Sequence, residues 1–418
     1  MLFPCFSYYF INRNMSNLTL TKEINQCRLC SDQNLKHVHN FGDLFISNFT
    51  SDINPKNYLK APLELVKCDV CDLLQLKHTA PQELLYSGFY WYRSSVTETM
   101  RLSLEELSNV ILKEVSTEKN DLILDIGAND GTLLNFFKGK LKRIGCEPAK
   151  NLQNQLSNHC EYSINDFWNF DNLSEILNEN SLQKPKIITA IGMFYDLDDP
   201  NKFINDIGKA LHEDGIFIAQ LMCLSSMLEK KDLGNICHEH LEFYSYKSLK
   251  YMYESNGLEI YKVTENNVNG GSYRIFARKL NKGSIDYPEK TSQEDIINFI
   301  NSVNTSKEKT YQFINDELKK GKTTHVYGAS TKGNTILQYF NLNSDMIPYA
   351  AERSPEKYGK FTVGSWIPII SEAESRSLNP DYYLILPWAF LDEFISREKK
   401  WRDQGGRFIV PFPDFRII

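Results

Sequence analysis

The sequence predicts an α/β protein in three parts, a small cysteine-built unit followed by two doubly wound parallel sheets. Three observations carry that expectation. Apolar strand-like runs alternate with amphipathic helical stretches over about residues 101–280, and the same alternation returns from about 281 onward. Two C-x-x-C pairs stand within the first hundred residues. The chain has 418 residues, 42% apolar and 24% charged, enough to bury more than one core.

Composition excludes several classes. The net charge of −6, with no basic run, argues against a nucleic-acid surface, which needs clustered Lys and Arg. No apolar stretch approaches the ~18 residues of a membrane span. The opening MLFPCFSYYFINRN lacks a basic region and a small-residue cleavage site, so a secretory signal is not expected. A second Met at position 15 marks the first fourteen residues as a mis-set start or a loose tail, set aside from the fold, and the tail before the first domain is expected to run over 1–24. The expected compartment is the reducing cytoplasm, where the nine cysteines serve as ligands or buried thiols. A monomer or small homo-oligomer is expected.

In the first part, 25–100, Cys27 and Cys30 (C-R-L-C) and Cys68 and Cys71 (C-D-V-C) offer four thiolates to one tetrahedral Zn²⁺. The 37 residues between the pairs leave room for a small sheet. Four cysteines leave no open coordination position, so the zinc is expected to be structural. The second part, 101–280, opens with the amphipathic MRLSLEELSNVILKEV and the buried-strand run LILDIGAND. A helix is expected over GTLLNFFKG, strands over RIGCEP and KIITAIGMFY, a helix over NKFINDIGKALHEDG and a strand over IFIAQLM. GLEIYKV and GSYRIFARK read as a closing antiparallel pair. The third part, 281–418, begins with a long helical stretch, EDIINFINSVNTSKEKTYQFINDELKKG. It then repeats the alternation through HVYGAST, MIPYAAE, DYYLILPWAF and RFIVPFP.

The loop D-I-G-A-N-D-G-T, Asp125 to Thr132, lies at a strand end and opens a helix, the position where doubly wound sheets bind ligands. It lacks the third glycine of G-x-G-x-x-G, and Asp125 before Gly127 would repel a pyrophosphate. A cationic, amine-bearing ligand suits it better. S-adenosylmethionine (SAM) is such a ligand, and Glu147, twenty residues after Gly127, stands where a carboxylate can accept ribose hydroxyls. Asn129, Gly131 and Met193 complete the expected cofactor set.

The chain resembles the sugar-nucleotide C-methyltransferases that methylate carbon 3 of 4-keto-6-deoxy sugars. The resemblance rests on the two cysteine pairs, YWYRSSVTETM (90–100), LDIGANDGTLL (124–134), GCEPAKN (145–151) and MFYDLDDP (193–200). It continues through CHEHLEFYS (237–245), NGGSYRIFARK (269–279), YGASTKGNTILQYF (327–340), ERSPEKYGKFTVGSWIPIISEAE (352–374) and LPWAF (386–390). It implies an N-terminal zinc-binding domain, a central Rossmann-like SAM-dependent methyltransferase domain and a second, C-terminal Rossmann-like domain that helps to hold the nucleotide sugar.

His238-Glu239-His240 is not the H-E-x-x-H of a zinc protease, since Glu242 occupies the place of the second histidine. Carbon methylation needs a base to remove the proton beside the ketone, and an imidazole suits that task. The resemblance assigns the base to His240, with Glu239 orienting the site. Many relatives carry Tyr where this chain has Cys237, which passes a tyrosine role to Tyr195 or Tyr244. Tyr90 and Tyr92 are further candidates as donors to the enolate oxygen, Tyr92 as a catalytic group and Tyr90 beside the substrate. Gly328-Ala-Ser330-Thr-Lys332-Gly-Asn334 opens a helix without being a Walker loop, and Ser330, Lys332 and Asn334 are expected on the diphosphate, with Arg93 and Ser94 contributing. Alternatives are a sugar O-methyltransferase, an NAD-dependent nucleotide-sugar oxidoreductase or epimerase, and a non-catalytic zinc module.

Overall fold

The computed structural model describes residues 21–418. Most of the expected tail therefore lies outside the described residues. Its last residues are not loose, because Lys22–Glu23 pairs antiparallel with His78–Thr79.

The first part is an antiparallel sheet of β1 (Leu35–Phe45), β2 (Lys60–Cys68) and β3 (Leu74–Leu76), with β1 and most of β2 filling the gap between the cysteine pairs. Ala61, Leu63 and Leu65 alternate onto its buried face, as a strand with one covered side requires. Each cysteine pair is followed by a residue in the left-handed region, Ser31 (φ 61°) and Asp72 (φ 67°), which turns the chain back on itself.

The central sheet begins with β4 (Leu122–Ile126), β5 (Lys142–Cys146), β6 (Tyr162–Ile164), β7 (Ile187–Ile191) and β8 (Ile216–Met222). The chain then leaves it for β9 (Glu242–Phe243), which joins the first sheet beside β3. It returns as the antiparallel pair β10 (Leu258–Asn266) and β11 (Ser272–Lys279). The order is β6-β5-β4-β7-β8-β11-β10, parallel except where β11 meets β8 and β10. A dinucleotide-binding sheet would continue 4-5-6 without this inserted hairpin. The amphipathic stretch before β4 is α1 (Glu98–Glu114), which buries Leu104, Leu107 and Ile111. Two expected helices are shorter than their patterns. GTLLNFFKG gives only Thr132–Asn135, with Gly139 turning the chain at φ 75°. The other starts at Pro200, capped by Asp199, and stops at Ala210, short of Gly215.

The third part opens with α2 (Gln293–Lys319), started by a capping box between Ser292 and Asp295. Its sheet contains β12 (Thr324–Tyr327), β13 (Ala350–Glu352), β14 (Ile369–Ser371), β15 (Tyr382–Ile385), β16 (Arg407–Val410) and β17 (Arg416–Ile417). The order is β14-β13-β12-β15-β16-β17, with only β17 antiparallel. Between β12 and β13 lies α3 (Thr331–Tyr339), so the G-A-S-T-K loop occupies the same topological point in this sheet as the glycine loop after β4.

The zinc-bearing part clamps both of the others. Besides the β3–β9 pairing, Phe49–Thr50 pairs with Phe361–Thr362, and the Gln338 side chain of α3 bonds Phe45 N (2.8 Å) and O (3.0 Å). Among the described residues no helix is long and apolar enough to cross a membrane.

Candidate active site

Cys27, Cys30, Cys68 and Cys71 converge as expected, with all four sulfurs within 4.8 Å of one another. The closest pairs are Cys27–Cys71 at 3.5 Å and Cys30–Cys68 at 3.4 Å. Zn–S bonds of about 2.3 Å place tetrahedral sulfurs about 3.8 Å apart, so the cage fits zinc with no ligand position left over. Gln75 of β3 donates to Cys27 Sγ at 3.2 Å and accepts from Arg28 N, linking the knuckle to the strand that carries β9.

The ends of β4, β7, β8, β12, β13 and β15 open on one shared cavity of about 2080 Å³. Ligand sites usually span about 300–1,000 Å³, so this one has room for two ligands side by side. At the end formed by the central sheet stand Asp125, Gly127, Ala128, Gly192 and Gln220. Asp125 is buried and accepts from Thr189 Oγ1 at 2.6 Å. Burial pushes its carboxyl up to about 7, against the Thr189 hydroxyl and with a smaller push from Glu147. An arriving ammonium or sulfonium would restore its charge. Gly127 (φ 69°), Asn129 (φ 53°) and Gly131 (φ 80°) all lie in the left-handed region. A Cβ on Gly127 would meet Met193 Cγ at 2.7 Å.

The remaining expected cofactor residues act from behind this wall and do not line the cavity. Glu147 is buried and accepts from Ala149 N (2.8 Å) and Asn129 N (2.9 Å), so its carboxylate holds the backbone of the loop. The strap Tyr90–Ser95 runs over the loop. Its Ser94 N donates to Asn129 Oδ1 at 3.0 Å, Ser95 N donates to Asp130 Oδ2 at 2.9 Å, and Tyr92 O accepts from Asn129 Nδ2. Asn151 bonds Tyr90 N and O at 2.9 and 3.0 Å. Tyr90, Tyr92, Arg93 and Ser94 thereby face the cavity.

The two histidines of H-E-H do different work. His238 is 3% exposed, and its Nε2–H donates to Ala61 O of β2 at 3.0 Å. Burial holds it at about 4, so it stays neutral and anchors the loop to the zinc-bearing sheet. His240 lines the cavity, and its Nδ1–H donates to Asn235 O at 2.7 Å, which leaves Nε2 with a free lone pair. Burial, and then the charge of Lys332, holds His240 well below the usual imidazole range, so it is neutral and ready to accept a proton. The Tyr195 ring packs edge-on against it at 4.6 Å, while Tyr195 Oη donates to Gly192 O at 2.8 Å. Glu239 also faces the cavity, its backbone carbonyl held by Tyr86 Oη at 2.7 Å. Tyr244 does not replace the missing tyrosine, because it is fully buried in the core behind β8.

The third part supplies the opposite wall. Ser330 caps α3 by accepting from Gly333 N at 3.0 Å. Asn334 is 1% exposed and bonded to Val363 O (2.8 Å) and Ser365 Oγ (3.0 Å), which corrects its placement on a ligand. Lys332 points toward the H-E-H loop, with Nζ 3.0 Å from Asn235 Oδ1. Arg93, Lys150, Arg353 and Lys357 also line the cavity, as do Trp91 and Trp388, with Arg93 paired to Glu356 at 3.0 Å and Lys357 to Glu352 at 3.3 Å.

Sequence reasoning missed Asp196 and Asn235. Asp196 lines the cavity, and its Oδ1 is buried without a hydrogen-bond partner. Burial, then Glu239 and Glu242, pushes this carboxyl well above its usual range. It follows the end of β7, where the strand-end rule for parallel sheets could have singled it out. Asn235 joins His240 and Lys332, accepting from the one through its carbonyl and from the other through its side chain.

Three sequence families match the chain in order. They are described as "Putative zinc binding domain" over 27–86, "Methyltransferase domain" over 92–263 and "C-methyltransferase C-terminal domain" over 267–413. The chain is 28% identical to C-methyltransferase NovU of Streptomyces niveus, over 96% of this chain and 98% of that protein. Partial likenesses to solved structures include a SAM-dependent methyltransferase from Clostridium acetobutylicum, 14% identical with a TM-score of 0.34 over 45% of this chain and 94% of that one. Another is magnesium protoporphyrin IX methyltransferase from Synechocystis with bound SAM, 8% identical with a TM-score of 0.32 over 43% and 79%. With its zinc cage, glycine loop and two facing crevices, the chain belongs to the SAM-dependent methyltransferases, in the branch that joins a zinc-binding domain to a C-methyltransferase C-terminal domain.

Proposed function

We propose that the protein is a cytoplasmic C-methyltransferase acting on a nucleotide-linked 4-keto-6-deoxy sugar, with His240 as the base. The observation that carries this reading is the free Nε2 of a neutral histidine at the junction of the two crevices. An O-methyltransferase would also use a base. An ammonium and a carboxyl group that both face the cavity with that base, Lys332 and Glu239, answer a need specific to carbon acids, where charge appears on a distant oxygen as the proton leaves.

In this reading Asp125 and the loop after β4 hold SAM, and SAM supplies the methyl group to the nucleophilic carbon. His240 Nε2 removes the proton from the carbon beside the ketone, taken as carbon 3. Glu239 balances the imidazolium that results. Tyr195 buttresses the ring, and Tyr90 and Tyr92 close the strap over the sugar. Arg93, Arg353 and Lys357, which line the cavity, suit a diphosphate, and Trp91 and Trp388, which line it too, suit a planar base. The division 25–100, 101–280 and 281–418 then corresponds to brace, methyl donor site and nucleotide site.

The test is the product formed from SAM and a panel of 4-keto-6-deoxy nucleotide sugars. A gain of one methyl on carbon, together with deuterium uptake beside the ketone in heavy water without SAM, supports the proposal. A methyl on oxygen, or transfer without deuterium uptake in any sugar, overturns it.

The pH profile gives a second check. Burial pushes Glu239 up to about 7, opposed by Lys332 and the Thr331 hydroxyl. Below that pH it is protonated and cannot balance the imidazolium, so kcat/KM should fall as pH drops through about 7. His240, held well below its ordinary range, adds no limb there. Glu239→Gln should lower the rate and abolish the limb when the profile is recorded from about pH 5.5 to 8.5. A limb that persists in the variant would assign the titration elsewhere.

A further inference from the structure

A carbon acid beside a ketone becomes an enolate whose charge resides on the ketone oxygen, and a base alone does not stabilise that charge. The donor has to be a cation or acid that faces the same space as His240 Nε2. Tyr195 and Tyr244 are poorly placed for it, since Tyr195 Oη is spent on Gly192 O and Tyr244 is in the core. Lys332 is different. It comes from the first turn of α3, in the third part, yet its Nζ reaches Asn235 Oδ1 at 3.0 Å and lies 3.8 Å from Met222 Sδ at the end of β8. The same Asn235 receives His240 Nδ1–H through its carbonyl, so one residue fixes the spacing of ammonium and base. Lys332 acts electrostatically on Asp196, Cys237, Glu239 and His240 alike. The cations suited to a diphosphate, Arg93, Arg353 and Lys357, belong to other segments of the wall.

We infer that Lys332 is a catalytic residue, its ammonium donating a hydrogen bond to the enolate oxygen rather than holding phosphate. This rests on the carbon-methylation reading above. As the C–H bond breaks, its proton passes to His240 Nε2 and the electron pair moves through the new C=C bond onto the ketone oxygen. There it meets two of the three ammonium protons that Asn235 leaves free. The pair then returns to form the C–CH₃ bond as the S–CH₃ bond breaks, leaving a neutral thioether. The ammonium keeps its protons throughout.

The experiment compares wild type, Lys332→Met and Lys332→Arg with one nucleoside-diphosphate 4-keto-6-deoxyhexose. Deuterium uptake beside the ketone is followed without SAM, kcat and KM are measured with SAM, and substrate Kd is taken by calorimetry. Lys332→Met should slow both uptake and kcat about 10²–10³-fold, the usual loss for one oxyanion donor, with Kd changed less than about threefold. Lys332→Arg, which keeps the charge, should recover part of the loss and guards against a folding defect in the Met variant. The inference is overturned if Lys332→Met weakens Kd or KM about 100-fold while uptake at saturation is unchanged, which is the phosphate role. It is equally overturned if neither quantity changes. A wild type that takes up no deuterium from any keto sugar overturns the carbon-methylation reading itself, and the inference with it.

Discussion

His240→Ala is expected to cut kcat for methyl transfer about 10²–10⁴-fold while SAM binding is retained. His240 Nε2 is the imidazole lone pair of this loop that faces the cavity. His238 is bonded to Ala61 O and turned from the cavity, and Asp196 and Glu239 are carboxyls whose burial favours the protonated form. The cofactor wall is built by Asp125, Gly127 and Thr189, none of which bonds His240, so calorimetry with SAM should read the same in the variant. His238→Ala is the informative contrast. It removes a buried anchor between the loop and β2 and should lower stability by about 1–3 kcal/mol, the cost of an orphaned buried acceptor. If the two variants lost catalysis equally with equal loss of stability, the base assignment would fail.

Cys71→Ser, or exhaustive chelation, is expected to abolish methyl transfer although the closed four-cysteine cage offers no open ligand position for chemistry. The zinc cage sets the turn between β2 and β3, and β3 carries β9, the strand that begins two residues after His240. Leu76 N donates to Leu241 O at 2.9 Å, the first bond after the histidine. Zinc sites of this closed type contribute directly to folding, so their loss should melt the small sheet and release the loop. The central crevice has its own parallel core and should still bind SAM. The measurement is zinc content, SAM affinity and methyl transfer on the same sample. Full activity in zinc-free protein would show that the loop keeps its shape without the brace.

Much of this was legible from residue patterns. Buried-strand runs such as LILDI and IFIAQLM, and the capping signal ahead of α2, placed the elements of both parallel sheets. The cysteine spacing gave the cage, because a metal demands a fixed ligand count whatever the chain does in between. Less visible was anything set by contacts distant in sequence. H-E-H looked like one motif, yet its histidines separated when His238 found Ala61, 177 positions away. Asn334 read as a ligand contact because it opens a helix, and it became structural because Val363 and Ser365 fold over it. Lys332 looked like a phosphate lysine for the same reason, and only the apposition of two sheets turns it toward Asn235. Asp196 carries no local signature beyond its place after a strand.

The pairing of β3 with β9 also sets a timetable for synthesis. Leu76 leaves the ribosome 166 positions ahead of Glu242, a delay of roughly ten to thirty seconds at 5–20 residues per second. Through that interval the nascent first sheet has its metal ligands in hand but an open edge, the kind of surface that recruits other strands. Its partner strand exists only once β4 to β8 have emerged. The brace is therefore first to appear and among the last to be completed. A chain cut near residue 100 for separate expression would remain permanently at that unfinished stage, prone to self-association, whereas a split after β11 would keep β9 on the edge of β3.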